Sequence, residues 1–555
     1  MAIDLPPSMP PALTAIQEVS AYGKTTAPYV RKVGNYEIQL TGNHYLNELE
    51  LDTIFAHAKT PSQAILLVNA ATYNKGHLLV KLLYSSPNNG VIHVHALQYN
   101  VGDIKGDSLA RRHFGNLAGD LVLTRNEFNT ERVVANLHAD RIGLNYNVSY
   151  EPSAGNPNVI DLVFTEREKA DYDATDLLLQ VGNQGSRFAG RYFANAGLKH
   201  DFKNGTQLSL GYETAITEWG EARDGEDYQQ YQLNLDHPFS LGLYGVEARH
   251  TEYTRDLGTV NLNIPICIGP TIAGVCTLPS TGTTSTDIEL DANIDQVALT
   301  GAQVLSSDID HRFNLKQRLE WTDSGIDAST GPTIQDERYA ALELGASYHR
   351  AKIVSGRLLN WKVAAAAKGG ITSDKGTLST DNTTEGVSIG KRTAEFITLK
   401  PRAELDYSLS ETSSIGLSFS GQFADEQLPQ QQQWVLGGID RISAYLPGVL
   451  VGDSGYHVDA SYNHRRDIGG FKLTTAVFVE YGSAKYENAS GAGPGDVDFG
   501  DDSSIVDAGL RATVTAWNWL EVRAVIAESL GENNVAEEAL ERAKADFFVV
   551  LKATF

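Results

Sequence analysis

From Asp173 to the last residue, Phe555, apolar and polar residues alternate with a period of two in one segment after another. That period places successive side chains on opposite faces of an extended strand, so it leaves the chain few folds to choose from. Ile397, Leu399, Ala403, Leu405 and Tyr407 oppose Thr398, Lys400, Arg402, Glu404 and Asp406. Further on, Val506, Ala508, Leu510, Ala512 and Val514 oppose Asp507, Arg511 and Thr513. An aqueous sheet with one solvated face has the same period. The number of segments and the lengths of their connections separate the two cases.

Strands are expected to begin near Asp173, Gly190, Gly205, Asp227, Gly242, Glu289, His311, Glu337, Leu359, Glu395, Ser414, Gly455, Phe471, Ser503, Trp519 and Ala545. That makes sixteen, and no helical period of any length is evident after Lys169. Connections near Asp201, Asp236, Ser306, Leu409, Arg465 and Ala516 are brief. Those near Thr217, Arg255, Thr322, Thr372, Ala424, Lys485 and Ser529 are longer and rich in Gly, Asp, Ser and Thr. Long and short links alternate as they do when one rim of a membrane barrel faces outward and the other the periplasm. Arg350 to Leu358 is expected to be long for a link on the short side.

Composition narrows the function classes. A net charge of −24 argues against nucleic-acid binding, which needs a basic footprint. No apolar run reaches the roughly 18 residues of a helical membrane span. The opening MAIDLPPSMPPALTAIQ has no basic region ahead of an apolar core, so either the chain is not exported or a signal peptide has been removed; the second is preferred. Cys267 and Cys276 fall in one expected surface loop and could form a disulfide in an oxidising compartment, or remain two reduced bystanders.

The first third reads differently. Residues 1–34 form a tail with a possible short helix through Leu13, Ile16 and Val19, or a disordered Pro-flanked segment. In residues 35–98 a strand at Glu37–Leu40 precedes a helix carrying Leu51, Ile54, Phe55 and Ala58, and a second helix opening at Pro61 and stopping at Gly76. Strands Leu78–Tyr84 and Val91–Leu97 follow. Residues 99–169 hold a less clear copy, with a helix near Glu127–Arg141 and strands Leu144–Tyr150 and Val159–Thr165. The barrel takes residues 170–555. Ordinary α+β spacer modules remain the alternative for the two small units.

Between two alternating strands lies Leu436–Tyr456, LGGIDRISAYLPGVLVGDSGY, part of a loop, 425–455, expected to fold inward. Two strands of sequence later, Phe478, Glu480 and Gly482 occur at alternate positions. A carboxylate on a strand is costly on the lipid face and can pair in a wet lumen, so Glu480 is expected inside; a solvated residue with no special partner is the bland reading. The Gly-Gly pair, the Arg-containing aromatic turn and Gly-Asp-x-Gly resemble the sixth surface loop of the two-partner secretion transporters, the TpsB family. These are outer-membrane barrels related to BamA-type assembly proteins. The resemblance implies a 16-stranded barrel, two periplasmic POTRA domains made of a strand, two helices and two strands, and an N-terminal helix that can plug the pore. It also implies a loop Arg paired to an acidic residue of an F-x-D-x-G motif on the lumen wall. Here Ile442-Ser443-Ala444-Tyr445 occupies the loop motif, so Ser443 stands at the family Arg, Arg441 is the nearest Arg, and Glu480 replaces Asp. Arg441, Ser443 and Tyr445 are expected to position the loop and Glu480 to anchor it. Phe555, closing an alternating strand, resembles the insertion signal read by the barrel-assembly machinery.

Function follows as an expectation: the POTRA domains capture an unfolded secreted exoprotein, a haemolysin or adhesin of the TpsA kind. The barrel, a monomer in outer-membrane lipid, exports it with no cofactor and no catalytic or metal site. Other classes were weighed on the residues. Gly452-Asp453-Ser454-Gly455 matches a chymotrypsin-like nucleophile tetrapeptide but lacks the following Gly and the required partners, and a turn opening a strand outweighs it. His457 and His464 suit a lipid-edge hydrolase without an evident nucleophile. Asp496, Asp498, Asp501 and Asp502 could hold calcium, but their spacing misses the EF-hand pattern. A BamA-like assembly factor would carry more POTRA modules, and a passive porin would have no use for them.

Overall fold

The structure is a computed structural model. It describes the chain except residues 1, 23–26, 187–189, 217–226, 268–270, 273–274, 277–278, 330–332, 381–382, 385–386, 389 and 492–496, and within 256–288 and 381–389 it describes backbone elements alone. The Cys267–Cys276 expectation and Asp496 lie outside the residues whose side chains are described.

Sixteen strands, from Thr175–Gly182 to Phe548–Thr554, form a closed antiparallel barrel in which each pairs with its neighbours in sequence and the last returns to the first. All sixteen expected strands are present. Phe555 closes the seam: its N–H donates to the Leu177 carbonyl and its carbonyl accepts from the Leu177 N–H, both at 2.9 Å. The alternation is realised as expected. Val477, Leu510 and Ile526 lie side by side on adjacent strands with about half of their surface exposed, whereas Phe478 and Glu480, on the other face of Val477's strand, are buried inside. Aromatic pairs ring the rim of short turns: Phe239–Tyr244 (6.0 Å between ring centroids), Tyr348–Trp361 (5.2 Å), Phe471–Trp517 (5.5 Å) and Trp519–Phe555 (5.4 Å). An apolar belt bounded by aromatic rings is the outer surface of a barrel wetted by hydrocarbon.

Four connections differ from the sequence reading. The link at Arg350–Leu358 shrinks to Ser355-Gly356, because strands Thr333–Val354 and Arg357–Gly370 run through it. Both turn residues have positive φ, 52° and 74°, the requirement of a two-residue hairpin turn. At Arg255 and Thr322 the strands continue as paired ribbons, Gly242–Cys267 with Pro279–Ser307 and His311–Ala328 with Thr333–Val354. A helix, Glu537–Ala543, interrupts the last long loop; at seven residues it is too short to show a period.

Two α+β modules precede the barrel. The first holds strand Tyr36–Thr41, helices Glu48–His57 and Pro61–Asn74, and strands Val80–Tyr84 and Val91–Gln98, with a further edge strand, Tyr29–Val33, that periodicity did not reveal. Asn47 caps the first helix reciprocally with Glu50, and Thr60 ahead of Pro61 caps the second. The second module has strand Asn100–Lys105, helices Ser108–Phe114 and Arg125–Arg141, and strands Leu144–Pro152 and Val159–Glu168. Its long helix docks on the barrel's periplasmic rim. Arg141 pairs with Asp236 (2.5 Å) and Arg125 grips Asp308 through two nitrogens (2.5 and 3.2 Å). Burial, with Arg112 nearby, pushes His113 down to about 3 and His138 to about 4, so the two imidazoles at this docking face stay neutral. The N-terminal helix, Ile16–Tyr22, lies on the first module, not in the lumen, with Tyr22 stacked on His95 at 5.1 Å.

Candidate functional site: the loop folded into the lumen

The sixth long connection, residues 425–453, turns inward between strands Ser413–Ala424 and Ser454–Ile468. Its tip packs Trp434, Leu436, Ile442, Ala444 and Tyr445 against Ala484, Ile505 and Ala543 in one buried cluster. Ile442 sits at φ +55°, a conformation that costs a β-branched residue about 1–3 kcal/mol and persists only where neighbours enforce it. Gly482 is what admits it. A Cβ there would stand 2.8 Å from both Ile442 Cγ1 and Leu436 Cδ1, so the third residue of Phe478-x-Glu480-x-Gly482 must lack a side chain.

Glu480 is fully buried, and one of its oxygens accepts from both the N–H and the hydroxyl of Ser443, each at 2.9 Å. Next to it on the following strand, Asp507 accepts from the Ala444 N–H at 2.8 Å. Tyr445 donates its hydroxyl to Glu532 at 2.7 Å, while the backbone from Ala444 to Leu446 pairs with Ala543–Ala545 beyond the short helix. Ser443 therefore meets Glu480, while Tyr445 meets Glu532 instead. Arg441 does not join them; its guanidinium lies over the Trp434 ring, 4.7 Å from the centroid.

The cation near Glu480 comes from the wall. Arg511 of strand Ser503–Ala516 approaches Glu480 at 3.4 Å and Asp459 at 3.8 Å, over the ring of Phe478 at 4.5 Å, and His457 stands 3.6 Å from Glu480. Phe478 thus carries the guanidinium on its face rather than merely filling space. Alternation alone placed Arg511 and Asp507 inside; nothing in the spacing tied them to the loop.

The stem of the loop reaches another wall. Gln432 donates to Glu320 (2.7 Å) and Tyr339 (2.9 Å), and the Gln430 N–H donates to Glu337 (2.8 Å). Glu320 is paired with buried Lys368 at 2.5 Å and with Arg318 at 2.9 Å, and Glu337 with Arg392 at 2.8 Å. Stem contacts fall on the seventh and eighth strands and tip contacts on the thirteenth and fourteenth, close to opposite sides of a ring of sixteen. The loop spans the lumen.

Residues weighed for catalysis have other duties. The Ser454 hydroxyl accepts from the Ala424 N–H at 2.9 Å, and His457 belongs to the Glu480 group. His464 does meet a hydroxyl, Ser413, at 3.0 Å, a pairing the sequence reading missed; Tyr462 donates to the same oxygen, and no carboxylate among the described residues orients the imidazole. Asn534 closes the acidic loop by donating to the Asp498 and Asp501 carbonyls.

Known structures share this fold. CdiB from Escherichia coli superposes with a TM-score of 0.65 over 96% of this chain and 92% of its own, at 11% identity. CdiB from Acinetobacter baumannii gives 0.56 over 97% and 96%, at 16% identity. The fold is that of the two-partner secretion transporters. BamA from Haemophilus ducreyi lacking POTRA domains 1–3 matches this TpsB fold at 0.50 over 95% of the chain and all of its own, at 11% identity. By sequence, the heme/hemopexin transporter protein HuxB of Haemophilus influenzae is 20% identical over 412 residues, 72% of this chain; the match spans 64% of that relative's length. No protein-family model matches. Even-stranded antiparallel barrels with an apolar belt belong to bacterial outer membranes, which places the TpsB-like barrel there and its α+β modules in the periplasm.

Proposed function

We propose that this chain is an outer-membrane transporter of the two-partner, type V kind, which takes an unfolded exoprotein at its periplasmic modules and passes it outward through the barrel. The observation that carries the reading is the sixth loop, drawn across the lumen and held by Ser443 and Ala444 on the carboxylates of Glu480 and Asp507. A passive pore gains nothing from a buried, strained strap of this kind, whereas a conduit for polypeptide needs a constriction that can be seated or released. In this reading residues 35–98 and 99–169 are POTRA domains, and their sheet edges receive an extended chain by strand addition. The barrel itself does no covalent chemistry; transport draws on folding of the cargo outside.

The test is to look for a large secreted protein in the neighbouring reading frames and to co-express it with this chain. The expected result is that the exoprotein appears in the medium only when this chain is present, and that reconstituted protein leaves unfolded outer-membrane proteins uninserted. Insertion of membrane proteins without export would instead favour an assembly role.

A further inference from the structure

The first residues of the chain are not a free tail. Leu144–Pro152 is the outer strand of the second module's three-stranded sheet, and residues 2–4 lie along it. The Tyr146 N–H donates to the Ala2 carbonyl at 2.6 Å, the Asp4 N–H donates to the Tyr146 carbonyl at 3.0 Å, and Ile3 pairs with Tyr146 in parallel. Across the groove, Asn136 on helix Arg125–Arg141 accepts from the Ile3 N–H at 2.8 Å. Ile3 is 0% exposed and packs in the module's core beside Tyr146 and Phe128.

Onward, Tyr73 donates to the Pro6 carbonyl at 2.7 Å and Asn69 to the Met9 carbonyl at 3.1 Å. Ala12 and Leu13 then pair in parallel with Leu83 and Tyr84, on an edge of the first module's sheet. The module's polar contacts to residues 2–9 reach main-chain atoms almost throughout. The buried side chains are Ala2, Ile3 and Met9. Recognition of this form reads an extended backbone and a few apolar anchors, not a particular sequence. The groove also belongs to the module that is clamped to the barrel mouth through Arg125 and Arg141.

We propose that the groove between strand Leu144–Pro152 and helix Arg125–Arg141 is the docking site for an extended, apolar-anchored segment of unfolded polypeptide, and that residues 2–4 occupy it as an internal competitor, with residues 6–13 running on over the first module. The proposal rests on the export reading only for the identity of that polypeptide. An incoming segment must displace the tethered one, which faces the groove at an effective concentration on the order of millimolar. Docking is thereby limited to segments presented at high local concentration or with better anchors.

The test uses a labelled peptide copy of residues 2–10 and full chains in detergent, followed by fluorescence anisotropy. A chain lacking residues 1–10 is expected to bind the peptide at least about tenfold more tightly than the intact chain. Ile3→Asp in the intact chain, which keeps every residue but ejects the anchor, is expected to open the groove to the same peptide. A peptide carrying Asp at its Ile position is expected not to bind, and Asn136→Ala to weaken binding to the truncated chain. Heat-modifiable mobility of the barrel and the helical circular dichroism of the modules check folding in each case. If the truncated and Ile3→Asp chains are folded and neither binds the peptide, the segment is a permanent part of the module and the proposal fails. Export of the co-expressed exoprotein is scored separately, so peptide binding without export would overturn the transport reading and leave the groove standing.

Discussion

The lumen loop is held at two places, and they are built differently. At the stem, wall carboxylates already have their cations: Glu320 has Lys368 and Arg318, and Glu337 has Arg392, before Gln430 and Gln432 add neutral donors. At the tip, Asp459, Glu480 and Asp507 lie side by side on three adjacent strands; Asp459 and Glu480 share Arg511, with His457 beside Glu480. Three carboxylates, two of them fully buried, against one guanidinium are short of positive charge, so the tip depends more on the N–H and hydroxyl donors that the loop brings. To these carboxylates the loop contributes only neutral groups; elsewhere at the tip its Asp440 pairs with Arg523 of the wall at 2.6 Å. Its departure would leave no guanidinium of its own stranded, and each wall would keep its internal pairing. A loop-borne arginine would tie release to breaking a buried ion pair, which costs about 3–5 kcal/mol; moving the cation to Arg511 lowers that cost.

The largest effect should follow Glu480→Ala. It removes the acceptor of both Ser443 donors and the nearest carboxylate of Arg511, a loss on the order of 3 kcal/mol to the seated loop. Export of a co-expressed exoprotein is expected to fall while the barrel still assembles. Unchanged export with the loop still seated, read from protease access to residues 436–446, would remove Glu480 as the anchor.

Next in size comes an exchange of the cation between wall and loop. Arg511→Met alone should loosen the tip, since Glu480 and Asp459 then lose their guanidinium and Glu480 keeps only His457. Adding Ser443→Arg to that variant should reseat the loop, because the new guanidinium enters at a position now bonded to Glu480. The same Ser443→Arg change beside native Arg511 would crowd two guanidinia at one carboxylate and is expected to help less. A double-mutant cycle on loop protection measures this coupling, and additivity would show that Arg511 does not serve the tip. The stem supplies the contrast: Lys368→Met should cost less than Glu480→Ala, about 1–2 kcal/mol, because Glu320 keeps Arg318 and Gln432.

These two anchors also differ in how far the sequence revealed them. Alternation along Phe471–Lys485 was enough to place Glu480 inward, because a two-residue period leaves a strand residue only two directions. The barrel was legible for the same reason: each strand declares its faces locally. What stayed hidden is nonlocal. Arg511 and Asp507 lie in a strand separated from the motif by a long loop, and the Glu320–Lys368–Gln432 group joins positions more than a hundred residues apart. The helix Glu537–Ala543 and the edge strand Tyr29–Val33 are too short for a periodic signal. Ile3, three residues from the start of a Pro-rich stretch, owes its burial to a groove made by other parts of the chain.

Arg441 should give the smallest change, and its size bears on why the loop keeps an arginine at all. Its side chain touches neither Glu480 nor Asp507; it covers the face of Trp434, whose ring belongs to the buried tip cluster. A partly screened cation over an indole contributes roughly 0.5–1 kcal/mol. Arg441→Ala is therefore expected to leave export nearly intact and to increase proteolysis of the loop only slightly, with Arg441→Lys retaining most of the protection because the contact needs a cation and not a fork of donors. A loss as large as that of Glu480→Ala would mean that Arg441 swings onto the carboxylates during transport. The wall cation and the loop cation would then alternate, and the neutral seating at Ser443 would be only one of two positions of the loop.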